Sequence, residues 1–306
     1  MKFQTVCKTF QLIRAKTNYS IMHLLIDYCK NKNHYGININ DYNLYEFYNL
    51  DISLKENILT YQDNKKLIDK YNKNSKEYNY QSKKDFYKKY NSIINRHWLE
   101  LTGKNITEFS DFITKYPTII SSKNDINSST ELISPDQKNY TKLYNDLVLS
   151  NKLIIEEPLI QIEPLKSLNE DYPSIIRTII LNEEIIYAYL IVKNKEDNLY
   201  APINIETGII DYPACNSYQT IYDINPQTNK SIYWLSIPKW PRTKRLALKA
   251  ADKNPNIKYL EIDIVMTTNG PTILKINPNV QYQLIELINL VNKIKSLKNI
   301  IKEREN

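Results

Sequence analysis

The spacing of hydrophobic residues along the chain changes near residue 147. Before that point apolar residues recur at helical spacing, and one stripe predicted to be buried comprises Ile21, Leu24, Leu25 and Tyr28. After it, the apolar runs SIIRTIIL and EIIYAYLIV are separated by a short polar link, which predicts a β-hairpin. Helices, then a small mixed region, then an antiparallel sheet with flanking helices predict an α+β protein.

Polar residues mark the predicted ends of several helices. Ser53 and Glu56 form a capping-box pattern, and Ser82 and Thr107 are the expected caps of two further helices. The segment TIIS at 118–121 predicts a strand. One long C-terminal helix is predicted from a single apolar stripe, formed by Leu284, Leu287, Ile288, Val291 and Ile294.

Composition excludes several classes of protein. No run of about 18 apolar residues occurs, and the N-terminal residues lack the compact apolar block of a signal peptide. The three cysteines and three histidines are scattered, so neither a disulfide framework nor a His/Cys metal cluster is expected. A cytoplasmic, reducing compartment is the default expectation. The four glycines lie far apart, which excludes a P-loop and a glycine-rich dinucleotide motif.

The net charge of +7 comes from 41 basic and 34 acidic residues. Lysines are interleaved with Asn and Tyr in residues 69–91. The same pattern occurs on protein surfaces that bind single-stranded nucleic acid. No nucleic-acid motif accompanies the charge. We therefore interpret the pattern as the solvated face of helices and expect no nucleic-acid partner.

The segment EIDIVMTTNGPTILKINPN, residues 261–279, is predicted to form a hairpin with polar groups inside apolar strands. Such groups are costly unless they are paired or used. Side chains alternate between faces, so Asp263, Lys275 and Asn277 share a face only if the loop holds an odd number of residues. We therefore predict a three-residue loop, 268–270, with a left-handed Gly270.

Three further ionisable residues lie in or next to apolar runs, namely Glu156, Glu157 and Arg177. Each alone is more often a structural charge with a partner. Several on successive strands of one sheet favour a functional site, because perturbed charged groups gather at such sites.

Several segments, in their order and spacing, resemble the sugar-transfer-associated ATP-grasp proteins, a family found near capsule and surface-polysaccharide genes. They are YNLYEFYNLDIS, KKDFYKKY, IIEEPLIQ, LNEDYPSIIRTII, DINPQTNKSI, IPKW and YLEIDIVMTTNGPTILKINPN. The resemblance runs from about residue 42 to 279. It implies an ATP-grasp fold with two α+β lobes, at 61–147 and 148–280. An N-terminal helical region at 1–60 and a C-terminal helix at 281–306 would flank them.

The resemblance also implies an activity. Typical members resemble carboxylate–amine ligases, in which two lobes clamp Mg-ATP and a carboxylate becomes an acyl phosphate that an amine attacks. The matched positions are Lys83, Glu156, Glu157 and Lys275 for cofactor binding, Arg177, Asp263 and Asn277 for catalysis, and Asp263 and Asn277 also for magnesium. Nucleotide and polysaccharide-biosynthesis enzymes are the partners that the resemblance implies.

The chain departs from the family's pattern at critical positions. Ser121 replaces the phosphate-binding lysine, and the glycine-rich loop after it is absent. Lys275 replaces the second metal carboxylate. At an effective dielectric near 20, two charges about 4 Å apart interact by roughly 4 kcal/mol. The repulsion between a metal ion and the ammonium of Lys275 would therefore exceed the attraction that Asp263 and the amide of Asn277 are expected to provide. We therefore expect Lys275 to pair with Asp263 in the metal's place, and binding of ATP and Mg²⁺ to be weak or lost.

Three functions are compatible with these residues. The first is a degenerate ATP-grasp protein that keeps the fold. The second is an active ligase in which Asp197, Glu206 or Glu261 replaces the lost carboxylate. The third is a binding or scaffold protein for a glycosyltransferase or a nucleic acid, unrelated to ATP. Bound nucleotide would separate the first two from the third, and metal-dependent turnover would separate the second from the first.

Overall fold

The computed structural model describes residues 3–72, 82–125, 128–135 and 139–305. Residues 73–81 of the lysine-rich segment lie outside this part of the chain. The helices are α1 (Phe3–Lys16), α2 (Ile21–Tyr35), α3 (Ile39–Leu44), α4 (Ile52–Asn57), α5 (Tyr61–Tyr71), α6 (Lys83–Tyr90), α7 (Ile106–Lys115), α8 (Tyr140–Leu149), α9 (Leu165–Leu168), α10 (Trp240–Asp252), α11 (Tyr282–Asn292) and α12 (Leu297–Glu305). Among the described residues, no helix combines the length and apolar character needed to cross a membrane.

The strands form two antiparallel sheets, which confirms the predicted α+β class. They are β1 (Trp98–Glu100), β2 (Ile119–Ser122), β3 (Thr130–Ile133), β4 (Ile154–Glu156), β5 (Ile175–Leu181), β6 (Glu184–Val192), β7 (Leu199–Pro202), β8 (Ala214–Cys215), β9 (Ile221–Tyr222), β10 (Tyr259–Thr267) and β11 (Gly270–Asn277). The smaller sheet has the order β1-β4-β2-β3 and the larger β11-β10-β5-β6-β7-β8-β9.

The predicted β5–β6 hairpin is confirmed. Asn182 and Glu183, both with positive φ, form its two-residue turn, as hairpins with right-handed strand twist require.

The larger sheet is covered on both faces, so its central strands β10, β5, β6 and β7 are almost fully buried. On one face, residues such as Ile176, Leu190 and Ile262 share a core with α6 and α10. On the other, Ile179 and Tyr187 pack with α11 and α12. Because side chains alternate along a strand, Arg177, Glu261 and Asp263 belong to the second face.

Two of the predicted helix caps are wrong and one is confirmed. Ser82 caps α6, where its Oγ accepts a hydrogen bond from the Asp85 backbone N–H. Ser53 and Thr107 instead lie inside α4 and α7, which begin after Asp51 and Asn105. Aspartate and asparagine are favoured at the N-cap position at least as much as serine and threonine, and each stands two residues earlier, although neither Asp51 nor Asn105 makes a side-chain cap hydrogen bond.

Two predicted apolar stripes are also corrected. On α2, Leu24 and Tyr28 are buried, but Ile21 and Leu25 are 38% and 41% exposed, because only Leu24 and Tyr28 belong to the core that α2 shares with α1 and α3. The predicted C-terminal helix is two helices. It breaks at Lys293, whose φ of 55° ends α11 without a glycine or proline to signal it.

Candidate functional site

The β10–β11 hairpin places Asp263 and Lys275 directly opposite each other, as predicted, but the loop and the strand register differ from the prediction. Its loop has two residues, 268–269, because Thr267 pairs with Gly270; the predicted three-residue loop is wrong. Such a loop alone would put Asp263 and Lys275 on opposite faces. A bulge in β11, where Asp263 pairs with Lys275 but Ile264 with Ile273, adds one residue and restores the shared face. Gly270 has a φ of 114°, outside the left-handed helical region.

Arg177 is the centre of a buried cluster on this face. Its Nε donates to Asp263 Oδ1 at 2.6 Å and its Nη2 to Asp263 Oδ2 at 2.8 Å. Its Nη1 donates to Gln281 Oε1 at 2.6 Å and lies 3.6 Å from Glu261 Oε1. The guanidinium therefore sits against two carboxylates, with its planar fork matched to one of them.

The expected pairing of Lys275 with Asp263 is wrong. Lys275 is exposed, and the guanidinium of Arg177 holds both carboxylate oxygens of Asp263. The Arg177–Asp263 pair could not be predicted from the sequence because β10 has a neighbouring strand on each side. Asp263 is opposite Lys275 on β11 and opposite Arg177 on β5. Of the two cations, Arg177 makes the bidentate geometry, and the flexible side chain of Lys275 remains in solvent.

Asn277 and Glu261 complete the cluster. Asn277 Nδ2 donates to Glu261 Oε1 at 2.8 Å and to the Asn279 carbonyl at 2.8 Å. Glu261 Oε2 accepts from the Gln281 backbone N–H at 2.8 Å. Burial raises the pKa of Glu261, and the positive charge of Arg177 opposes that rise. Burial disfavours the charge of Arg177, but its bonds to Asp263 and the attraction of Tyr189, Glu261 and Asp263 together outweigh this and raise its pKa above the ordinary value.

The side chains of this cluster, as placed, do not fit a magnesium ion. Mg²⁺ requires near-octahedral oxygen ligands and holds phosphates through one or two free carboxylates. Both oxygens of Asp263 and both of Glu261 already accept hydrogen bonds within the cluster. In the described part of the chain, no three His, Cys, Asp or Glu side chains come together as a metal site.

A second buried cluster surrounds Glu156 at the end of β4. Lys83 Nζ donates to Ser122 Oγ at 2.9 Å and lies 3.8 Å from Glu156 Oε2. Arg96 Nη1 donates to Glu156 Oε1 at 3.1 Å, and the Tyr87 hydroxyl donates to the same oxygen. Burial raises the pKa of Glu156 to about 7 against the attraction of Lys83, and burial lowers the pKa of Lys83.

Ser121 and Glu157 lie beside this cluster. The Ser121 hydroxyl, at the position where the resemblance implies a lysine, is fully buried and has no hydrogen-bond partner. Glu157 is bound by His97, through its backbone N–H and Nδ1, and by Asn269 Nδ2 at 3.3 Å. The Asn269 contact joins β4 to the hairpin loop. Lys83 and Glu156 are thus brought together, while Glu157 contacts the hairpin instead.

Three site residues could not be found from the sequence. Each of them is hydrogen-bonded to a predicted site residue that lies 60 to 104 positions away in the sequence. The pairs are Arg96–Glu156, Tyr87–Glu156 and Gln281–Arg177. Only Arg96 gave a signal, as an arginine just before the apolar WLEL segment.

Lys275→Glu is expected to change stability little. Lys275 is exposed and is not the partner of Asp263, so the free energy of unfolding should stay within about 0.5 kcal/mol of the wild type, as for most surface substitutions. Urea unfolding in chelator checks this. A loss of about 3 kcal/mol or more, typical of a broken buried pair, would show that Lys275 does hold Asp263.

The family profile described as sugar-transfer associated ATP-grasp matches residues 118–302, more than half of the chain. The chain belongs to this family. The match includes Arg177, Glu261, Asp263 and Asn277 but begins after Lys83 and Arg96. A comparison with curated protein sequences gave no match.

Solved structures of ATP-grasp ligases are similar in fold. The ATP-grasp ligase PsnB, solved with its minimal precursor, is 11% identical with a TM-score of 0.46, over 77% of this chain and 63% of PsnB. D-alanine–D-alanine ligase from Bacillus anthracis is 12% identical with a TM-score of 0.40, over 74% of this chain and 69% of the ligase. The chain thus spans less than two thirds of PsnB, and these values concern fold alone.

Proposed function

We propose that this chain is a family member that keeps the ATP-grasp fold but has a degenerate Mg-ATP site, and that it serves surface-polysaccharide biosynthesis by binding rather than by ligation. The lobes at 61–147 and 148–280 belong to the same proposal. The carrying observation is the bidentate Arg177–Asp263 pair, with bonds of 2.6 and 2.8 Å in a buried position. The family's description as sugar-transfer associated supports the biosynthetic role.

The energetics of the pair support a lost metal site. Separating a buried ion pair leaves an uncompensated charge and costs about 3–5 kcal/mol. A magnesium ion would have to recover that cost with Asp263, because Lys275 offers no carboxylate. The Glu156 cluster supports the same conclusion, since Lys83 is bonded to Ser122 and faces Glu156 instead of an open phosphate position.

An active ligase with displaced ligands is a second candidate, favoured by one observation. Glu261 lies on the same face as Asp263 and is bonded to Asn277, so two carboxylates and an amide would face a cation if Arg177 moved away. The other two proposed substitutes do not support it. Asp197 is bound to Ser217, and Glu206 lies in an exposed turn.

A thermal-shift titration with ATP, in magnesium and in chelator, tests the proposal. A ligand at 100 times its dissociation constant adds about 2.7 kcal/mol to stability, so even moderate binding is visible. We expect the same shift, or none, under both conditions. A rise in melting temperature that appears only when magnesium and ATP are both present would contradict the degenerate Mg-ATP site, and metal-dependent turnover would then identify an active ligase.

A further inference from the structure

A concave pocket of about 410 Å³ lies between α10, the segment after α6, and the tip of the β10–β11 hairpin. Arg242, Arg245 and Lys249 of α10 line one side, and Ser92 and Asn95 line the other. Asn95 Nδ2 donates to the Pro271 carbonyl at 3.1 Å and so fixes the wall between the two elements. The volume of the pocket is within the range of small-molecule sites, about 300–1,000 Å³.

The three cations of this pocket share one face of α10. They stand at positions i, i+3 and i+7, all exposed, and no acidic group lies within ion-pair distance of any of them in the described part of the chain. At about 1.5 Å per residue, Arg242 and Lys249 are roughly 10 Å apart along the helix axis. This spacing is longer than a single anionic group requires.

The arrangement is unfavourable for the protein alone. Like charges three or four residues apart destabilise a helix by about 0.2–0.5 kcal/mol per pair. Arg242 also lies in the first turn of α10, which has no acidic residue, although the helix dipole there favours negative charge. An anion bound in the pocket would relieve both of these costs.

The pocket is separate from the Arg177 cluster. α10 packs on the face of the larger sheet that carries Ile262 and Ile264, whereas Glu261 and Asp263 point to the opposite face. Only the hairpin is common to both. One lining residue, Asn269, is bonded to an acid, Glu157, which is also bonded to His97.

We propose that this pocket binds a small molecule carrying a diphosphate group, held by Arg242, Arg245 and Lys249. Guanidinium groups suit phosphate because their planar fork donates two hydrogen bonds at once, and an ammonium adds a point charge. Two arginines and a lysine supply enough donors for two adjacent phosphates, and their long side chains can converge on them from one face of α10. The limited extent of the site, a single pocket of about 410 Å³, suits a small molecule better than a polymer.

Calorimetric titration with inorganic pyrophosphate, in chelator and at low ionic strength, tests this inference on the full chain. The pocket variant is Arg242→Gln/Arg245→Gln/Lys249→Gln. The control is Lys8→Gln/Arg14→Gln/Lys30→Gln, which removes three exposed charges from α1 and α2. All six positions are exposed, so both proteins should fold, and a melting curve of each verifies this.

We expect pyrophosphate to bind the wild type and the control equally, and the pocket variant at least about tenfold more weakly, because charge-assisted hydrogen bonds are lost. The inference is overturned if pyrophosphate does not bind the wild type, or if both variants weaken it equally. It is also overturned if a single-stranded oligonucleotide binds through these three residues more tightly than pyrophosphate, since the site would then be a polymer surface. No magnesium is present, so the result is independent of the proposed loss of the Mg-ATP site.

Discussion

Arg177→Met is expected to destabilise the protein strongly in chelator and to make it responsive to magnesium. The substitution keeps the buried volume but leaves Asp263 and Glu261 without their cation, which should cost about 3–5 kcal/mol. In millimolar Mg²⁺ part of this loss should be recovered, because two carboxylates and Asn277 then face a divalent ion. The wild type should not respond. Urea unfolding of both proteins in chelator and in magnesium measures the difference.

Two further variants make this result specific. Arg304→Met removes an exposed pair with Glu184 at 3.0 Å and should cost no more than about 1 kcal/mol, with no response to magnesium. Arg177→Met/Asp263→Asn lacks one of the stranded charges and should lose the magnesium response. Two outcomes would show that the guanidinium does not occupy the position of a metal ion. One is that Arg177→Met lowers the free energy of unfolding no more than Arg304→Met, and the other is that magnesium stabilises wild type and variant alike.

Protein stability is expected to fall as the pH rises from about 5 to about 8, because of Glu286. This carboxyl is 1% exposed, accepts from the backbone N–H groups of Leu59 and Lys298, and has its pKa raised by burial from 4.5 to about 8. The folded state therefore binds the proton more tightly than the unfolded state. Its contribution to stability is complete below pH 4.5 and is lost as the pH approaches 8, by about 5 kcal/mol at most.

Glu286→Gln separates this group from the other titrating residues. The amide keeps an oxygen for the N–H groups of Leu59 and Lys298 but carries no ionisable proton. Denaturant unfolding at a series of pH values should give a shallower slope for the variant, which becomes the more stable protein at alkaline pH. Equal slopes for wild type and variant would mean that folding does not raise the pKa of Glu286.

The parts of the fold that were predictable are those governed by local sequence. The β5–β6 hairpin followed from two apolar runs and a short polar link, and the start of α6 followed from Ser82. Helix ends failed where two good cap formers stood two residues apart, as at Asp51 and Ser53. The C-terminal break at Lys293 had no local signal, because an apolar stripe continues through it.

The candidate site was predictable in part of its membership but not in its pairing. Arg177, Asp263 and Asn277 were identified and do lie together, and Asp263 does face Lys275 across the strands. The partner of Asp263 was missed because the choice between Lys275 and Arg177 depends on which strand lies on each side of β10. The bulge was missed because no glycine or proline marks the extra residue in β11. Both depend on long-range pairing that a single sequence does not encode locally.

The most direct test of the central claim is a crystal structure grown with magnesium and a non-hydrolysable ATP analogue. We predict that Arg177 will still hold both oxygens of Asp263, as in the bonds of 2.6 and 2.8 Å described here, with no metal ion on Asp263 or Asn277. A magnesium ion bound between Asp263, Asn277 and the nucleotide phosphates, with Arg177 displaced from Asp263, would contradict the loss of the metal site.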